Sequence, residues 1–169
     1  MTIKKIFQIL SISSILLLPP HITSAAGSVS GNIEVSAEVV ASCTVSAQPL
    51  SFGQYLLAKI DATTNLSVTC TNGTQYSISL SPGGATNATT ETRRMTSVNN
   101  SNDTLGYQLF KDSGRTQVWG DNSMEPNQSP TVYSATGTAQ TYTVYGTIPA
   151  DQNSPIGDYR DTVVIVVNF

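Results

Sequence analysis

The stretch that decides the fold is GDYRDTVVIVVNF, residues 157–169. Val163 to Val167 are five consecutive β-branched apolar residues, a composition typical of a strand. Because the apolar residues occupy both parities, the pattern predicts burial on both faces, as in the core of a sandwich. If no further strand pairs with this one, its free edge exposes backbone N–H and C=O groups beside an open core. Such an edge invites pairing with another chain.

A second stretch, near the other end of the sequence, has an apolar face that needs a partner. From residue 29 to residue 45 the odd positions are apolar or small and the even positions are polar, with Val40 the exception. A single strand in this phase would be about 55 Å long at roughly 3.3 Å per residue, about twice the upper end of ordinary strand lengths. The pattern therefore predicts a break: residues 42–169 form the domain, and residues 27–41 bury their odd face elsewhere. An ordinary N-terminal edge strand of the same domain is the alternative.

The first 26 residues have the features of a secretory signal peptide. They contain Lys4 and Lys5, an apolar run over residues 6–18 and a small-residue end at residues 24–26. Removing them leaves 143 residues, which is the size of one domain, with six basic against eleven acidic residues and a net charge of −5. That charge makes nucleic acid and anionic membrane surfaces poor partners. We expect an exported protein.

Two cysteines, Cys43 and Cys70, are the only ones in the sequence. Thiols persist poorly in the oxidising compartments that an exported chain enters. We therefore expect a disulfide between them, which would stabilise the fold by roughly 3.5 kcal/mol on the chain-entropy model.

The rest of the chain consists of short β-branched and aromatic runs separated by Gly, Pro, Asn and Asp. This pattern predicts an all-β fold of antiparallel strands, most simply a sandwich. The Asn72-Gly73 pair predicts a hairpin with a primed turn, and residues 54–60 are expected to form a helical turn. Strands are expected at 29–46, 63–71, 74–81, 92–98, 104–111, 115–120, 130–135, 139–148 and 160–169.

The sequence contains few of the residues that catalysis commonly uses. His21 is the only histidine and falls in the predicted signal peptide, so the mature chain lacks imidazole and has no reduced thiol. Ser-His-Asp catalysis, Cys-His catalysis and His or Cys metal sites are therefore unavailable. Asp158 and Asp161 are expected to cap a turn or pair with Arg160, because acid–base work needs two carboxylates held across a cleft. We expect neither enzymatic activity nor a cofactor.

A carbohydrate-binding module is the remaining alternative from the residues alone. Its candidates are aromatic, although aromatic residues in strands are more often core or cross-strand partners. They are Tyr107, Trp119, Tyr133, Tyr142, Tyr145 and Tyr159.

The two apolar stretches fit each other as donor and acceptor. If each subunit inserts its N-terminal segment beside the last strand of the next, the contact is heterologous and gives an open filament. Burying Ile33, Val35 and Val39 at roughly 1.5–3 kcal/mol each yields about 5–9 kcal/mol. That is comparable to the whole stability of a typical domain, about 5–15 kcal/mol.

Several segments resemble the spore coat protein U domain family, which includes the major subunits of archaic chaperone–usher pili. The most specific is the ending, Gly146-x-x-Pro149 followed by Gly157-x-Tyr159-x-Asp161-x-Val163; the spacing of the two cysteines is second. The similar segments are VSAEVVASCTVS (35–46), LSFGQY (50–55), LSVTCTNGTQYSISL (66–80), RRM (93–95), LGYQLFKDSGRTQVWGD (105–121) and YTVYGTIPADQNSPIGDYRDTVVIVVNF (142–169).

The resemblance implies an incomplete immunoglobulin-like β-sandwich that lacks its final strand and is completed by donor-strand complementation. A periplasmic chaperone fills the groove first, an outer-membrane usher receives the subunit, and the N-terminal segment of another copy or a sibling pilin then replaces the chaperone. The implied donor residues are Val29, Gly31, Ile33, Val35, Ala37 and Val39. The implied acceptor and chaperone-contact residues are Val163, Ile165, Val167 and Phe169.

By the same resemblance, the protein is exported through the periplasm to the cell surface as a subunit of a fimbria for adhesion and biofilm formation. A shaft or minor pilin is the leading interpretation. A non-fimbrial spore-coat or cell-surface protein of the same fold is the alternative, and a secreted carbohydrate-binding module is the third.

Overall fold

The computed structural model describes residues 26–121 and 130–169. The predicted signal peptide lies almost entirely outside the described residues. Within these two ranges the chain forms ten strands: β1 (Cys43–Ala47), β2 (Ile60–Cys70), β3 (Gln75–Leu80), β4 (Arg94–Ser97), β5 (Thr104–Gly106), β6 (Gln108–Phe110), β7 (Val132–Ser134), β8 (Gln140–Ile148), β9 (Tyr159–Arg160) and β10 (Ile165–Asn168). The described residues include no helix, and so none that could cross a membrane. The all-β prediction is confirmed.

The chain divides into two compact units between Ala37 and Glu38. In the first unit, residues 26–37 have no regular secondary structure and all of their side chains are exposed. Of the strand pattern over residues 29–46, only the part from Cys43 onward pairs within the domain, as β1. The earlier part lies outside the domain's own sheets, and its boundary as a donor segment stays a prediction.

The second unit is a β-sandwich. One layer is a four-stranded sheet in the order β1-β2-β8-β6, and the opposing strands form two three-stranded sheets, β10-β3-β7 and β5-β4-β9. Every strand pairing is antiparallel. Alternation along β2 and β3 explains the layering, because Leu66 and Val68 point inward from one sheet and Tyr76 and Ile78 from the other, all of them buried.

The disulfide prediction is confirmed. Cys43 and Cys70 are bonded and face each other across the first pair of β1 and β2. We call this end of the sandwich the disulfide end, and the opposite end, where Ile60 pairs with Ile148, the loop end. Chain direction then follows from the pairing: β1 runs from the disulfide end to the loop end, and β10 runs back, ending opposite Ser77.

The Asn72-Gly73 dipeptide predicted a hairpin, but the turn that it forms does not close one. The Thr74 N–H donates to the Thr71 C=O at 3.1 Å, but the flanking strands β2 and β3 lie in different sheets. Only Gly73 has a positive φ, 84°, whereas a type I′ turn needs positive φ at both central residues. The turn therefore passes the chain from one layer to the other.

Three other expectations differ from the structure. Residues 54–59 form an irregular loop with no helical turn, and Ile60 begins β2. The strand expected at 115–120 is reduced to an isolated bridge between Phe110 and Val118. The strand expected at 160–169 is divided, because β9 pairs with β4 whereas β10 pairs with β3.

Candidate functional site

An apolar groove opens into the core of the sandwich along one side. One wall is the chain that follows β1, residues 47–52, and the other is residues 159–165, which include β9 and the start of β10. Its floor is formed by Leu66, Leu80, Leu109 and Val144. The cavity has a volume of about 450 Å³. Leu66 and Leu80 also belong to the main core, so an occupant of the groove would extend that core.

The two strands that border the groove are both edge strands. Among the described residues, β1 pairs only with β2 and β10 pairs only with β3. Each therefore presents backbone donors and acceptors on the side where the groove lies, and an added extended chain can hydrogen-bond to such an edge.

Alternation along the last strand shows which face is used. Val163, Ile165 and Val167 are half-buried and pack against the core cluster, whereas Val164 and Val166 are 56% and 44% exposed. The expectation that both faces are buried is therefore wrong for this chain. The both-parity run of valines predicted the strand correctly but overstated the burial of its outer face.

The predicted acceptor residues are placed differently from one another. Val163 and Ile165 line the groove. Val167 packs against the core nearer the disulfide end, and the ring of Phe169 is 61% exposed. Their role as acceptors stays a prediction.

The predicted donor residues are all exposed. Val29 and Ile33 are more than 90% exposed, Val35 and Val39 more than 80%, and the small residues Gly31 and Ala37 are exposed as well. Their donor role likewise stays a prediction.

A carboxylate closes the polar end of the groove. Asp161 accepts hydrogen bonds from the Tyr107 hydroxyl at 2.5 Å and from the backbone N–H groups of Gly84 and Thr162, each at 2.7 Å. Burial is the main cause that raises the pKa of Tyr107, and its bond to Asp161 adds to the effect. Of the two expected roles of Asp161, these bonds favour capping of backbone N–H groups over pairing with Arg160, because three other donors satisfy the carboxylate.

No pattern in the sequence predicted a role for Arg93, whose side chain is 1% exposed. Its guanidinium donates to the carbonyls of Leu80, Ser81, Thr90 and Trp119 and to the Gln108 side chain, at 2.7–3.0 Å. Burial lowers the pKa of Arg93, although an arginine remains charged in proteins. These bonds fix the end of β3, where Leu80 contributes to the floor of the groove.

Leu50 and Phe52 form a wall of the groove that no sequence pattern predicted. Both side chains lie against the backbone of Gly146 on β8, where an added Cβ would be 2.7 Å from Leu50 and 2.8 Å from Phe52. Glycine therefore allows the segment after β1 to approach the sheet closely and to shape the groove. No periodicity in residues 47–52 marked this role.

Most of the candidate sugar-binding aromatics are engaged in packing. Tyr107 and Trp119 are buried. The Tyr133 ring packs at a tilt against the rings of Tyr76 and Tyr142, with centroids 5.6 and 4.6 Å away, respectively. The Arg115 guanidinium lies 5.8 Å from the Tyr145 ring centroid, and the Tyr159 hydroxyl donates to the Pro155 carbonyl. This arrangement favours the structural interpretation of these residues.

Known proteins resemble the chain in sequence and in fold. The family model of the Spore Coat Protein U domain matches residues 29–166. Protein U of Myxococcus xanthus is 31% identical over 160 residues, which cover 85% of this chain and 87% of that protein.

A solved structure is similar as well: the complex of the chaperone CsuC with the tip adhesion subunit CsuE, a pre-assembly complex from the archaic chaperone–usher Csu pili of Acinetobacter baumannii. The match has a TM-score of 0.58 and 27% identity; it covers 78% of this chain but only 40% of the matched chain.

These similarities agree with the architecture described above. The fold is an incomplete immunoglobulin-like β-sandwich with an open edge. The related proteins are structural, and this protein is not an enzyme. Because the family model covers most of the sequence, the chain belongs to the Spore Coat Protein U domain family.

Proposed function

We propose that the protein is a subunit of a chaperone–usher pilus that polymerises by donor-strand exchange. The observation that carries the proposal is the open groove of about 450 Å³ between two edge strands, β1 and β10. A groove of this kind accepts an extended chain that adds backbone hydrogen bonds at its edges and apolar side chains at its floor.

Residues 29–39 of another copy have the chemistry of that occupant. Their exposed apolar side chains alternate with polar ones, so one face would fill the groove while the other met water. At roughly 3.3 Å per residue the segment extends over about 36 Å, longer than the strands that border the groove. Val163, Ile165, Val167 and Phe169 are the proposed acceptor residues.

Chain direction limits how the donor enters. A subunit's own N-terminal segment leaves from the disulfide end, because β1 begins there at Cys43. In a head-to-tail filament the subunit that donates its segment therefore lies at the loop end of the acceptor. The donor segment enters the acceptor groove there, with residue 39 nearest the loop end and residue 29 nearest the disulfide end of the acceptor. The donor is then antiparallel to β10, the favoured pairing for adjacent strands.

A periplasmic chaperone is the proposed first occupant of the groove. The similar solved structure is a complex of the chaperone CsuC with the tip adhesion subunit CsuE, and an open apolar groove needs such cover before assembly. Export to the cell surface through an outer-membrane usher, with a role in adhesion and biofilm formation, completes the proposal. Sibling pilins are proposed as neighbours alongside identical copies.

The test compares substitutions on opposite faces of the donor segment. Ile33→Asp places a charge on the face that would enter the groove, and Asn32→Asp places the same charge on the opposite face. With the chaperone and usher coexpressed, we expect electron microscopy to show surface fibres for Asn32→Asp and none for Ile33→Asp or a deletion of residues 27–39. Fibres of normal length from the deletion would refute donor-strand exchange.

A second candidate is a non-fimbrial coat or surface protein. It is favoured by the 31% identity to Protein U, which extends over 87% of that protein. Immunogold labelling separates the two functions: a pilus subunit labels fibres that project from the cell, whereas a coat protein labels a continuous surface layer.

A further inference from the structure

The N-terminal segment is held to its own domain up to Val40. The Thr71 hydroxyl donates to the Val40 carbonyl at 3.1 Å, and the Thr71 N–H donates to the Ser42 carbonyl at 2.9 Å. Val39, the last of the proposed donor residues, thus adjoins a residue whose backbone is fixed. If Val39 reaches into a neighbouring groove, no flexible linker separates the two domains, and their bodies must touch.

The surface that would receive the neighbour lies at the loop end of the groove. Phe52 lines the groove, and the loop over residues 53–58 follows it directly. Two adjacent leucines in this loop, Leu56 and Leu57, are 78% and 59% exposed. We call them the leucine pair.

The loop that carries the leucine pair is held firmly in place. The Tyr55 hydroxyl donates to the Pro149 carbonyl at 3.0 Å and accepts from the Gln152 N–H at 2.9 Å. The Leu57 carbonyl accepts from the Asp151 N–H at 2.9 Å. Leu57 has a φ of 59°, which is uncommon for a residue with a bulky side chain, and such conformations concentrate at functional sites and ligand clamps. Two exposed apolar side chains are thus presented by a fixed loop.

We infer that the leucine pair is a docking surface for the disulfide end of a second copy of this chain, centred on its Val40 and its Thr71–Gly73 turn. This inference rests on the proposed function, because the head-to-tail direction places that end of the neighbour at the loop end. The side chain of Val40 is 63% exposed and supplies the apolar counterpart. When the leucine pair docks on the neighbouring subunit, the joint between the two subunits becomes stiff. The fibre is then a chain of domains in direct contact.

The experiment measures the stiffness and axial repeat of fibres by electron cryomicroscopy. The first variant combines Leu56→Ser with Leu57→Asn, since asparagine tolerates a positive φ. Its matched control is Val132→Ser, which removes a side chain that is 64% exposed on β7, at the far edge of the sheet from β10. We expect the double variant to form fibres whose persistence length is several-fold shorter, and the control fibres to match the unmodified protein.

A second variant tests the joint without altering the loop. Six residues, three Gly-Ser pairs, are inserted between Val39 and Val40. We expect fibres with the same loss of stiffness and an axial repeat that lengthens by up to roughly 20 Å, the reach of six extended residues.

The outcomes separate the two levels of the proposal. Fibres of the double variant or of the insertion variant that are as stiff as unmodified fibres overturn the docking surface and leave donor-strand exchange intact. Fibres that persist with Ile33→Asp, or no fibres from the unmodified chain, overturn the proposed function and the docking surface with it.

Discussion

The substitution Arg93→Met tests what holds the groove in shape. It replaces a guanidinium that is 1% exposed with an unbranched apolar side chain of similar length. Two effects oppose each other. Removing a buried charge relieves its desolvation cost, which often favours an apolar replacement. The same change deprives the surrounding carbonyls of their donors.

The number of carbonyls that lose a donor decides whether the substitution stabilises or destabilises the fold. Thr90 keeps a bond from the Gln108 side chain, but the carbonyls of Leu80, Ser81 and Trp119 lose the donors that Arg93 supplies. A buried acceptor left without a partner costs about 1–3 kcal/mol, so three of them cost about 3–9 kcal/mol. After the relief from the lost charge we expect a net destabilisation of about 3 kcal/mol, a large part of a stability of about 5–15 kcal/mol.

Urea unfolding of the purified chain measures the effect. Trp119, the single tryptophan, is 2% exposed, so its fluorescence reports loss of the core. Arg94→Met is the matched control because Arg94 is exposed, and exposed substitutions away from special features change stability by about 0.5 kcal/mol or less. A free energy of unfolding for Arg93→Met within about 1 kcal/mol of the unmodified protein would refute the assigned role of its hydrogen bonds.

Three further predictions follow from the same contacts. Replacing Cys43 and Cys70 with serine lowers the free energy of unfolding by about 3.5 kcal/mol; an unchanged urea midpoint would contradict this. Burial raises the pKa of Tyr107 and Tyr142 above the value in the unfolded chain. The stability that these two residues contribute is therefore full below about pH 10 and falls as the pH rises further. The tyrosinate absorbance of Tyr107 and Tyr142 should appear together with unfolding, and their ionisation in the folded protein would contradict this prediction. Gly146→Ala places a methyl group against Leu50 and Phe52 in the groove wall and lowers the free energy of unfolding by about 1–3 kcal/mol through overpacking. The same substitution should weaken binding of a synthetic peptide of residues 27–39. An unchanged peptide affinity would show that the shape of this wall does not affect binding.

Local periodicity was sufficient to predict most of the strands. β2, β3 and β8 contain β-branched or aromatic residues at alternate positions, and the structure places them within a few residues of the expected ranges. The pairing partners were not predictable in the same way. Asn72-Gly73 is a hairpin signal in the local sequence, yet β3 joins β7 and β10, which lie far away in the chain. The layer to which β3 belongs depends on those long-range contacts.

The groove was predictable on one side only. The resemblance to the Spore Coat Protein U domain family implied Val163 and Ile165, both of which line it. Leu50 and Phe52 lie in an irregular segment, so no period marks their burial. Arg93 was missed for a different reason: arginine is almost never fully buried unless its donors are satisfied, and the four carbonyls that satisfy it come from three separate parts of the chain.

These omitted residues explain why the groove has a defined shape while it is open. Arg93 fixes the end of β3, the disulfide fixes β1 to β2, and Gly146 lets Leu50 and Phe52 approach the sheet. A preformed site does not have to be ordered by its occupant, so most of the conformational entropy lost on assembly is that of the donor segment. Because residues 26–37 have no regular structure, substitutions that stiffen this segment in an extended form should speed fibre growth, whereas substitutions that stiffen the groove should have little effect on the rate.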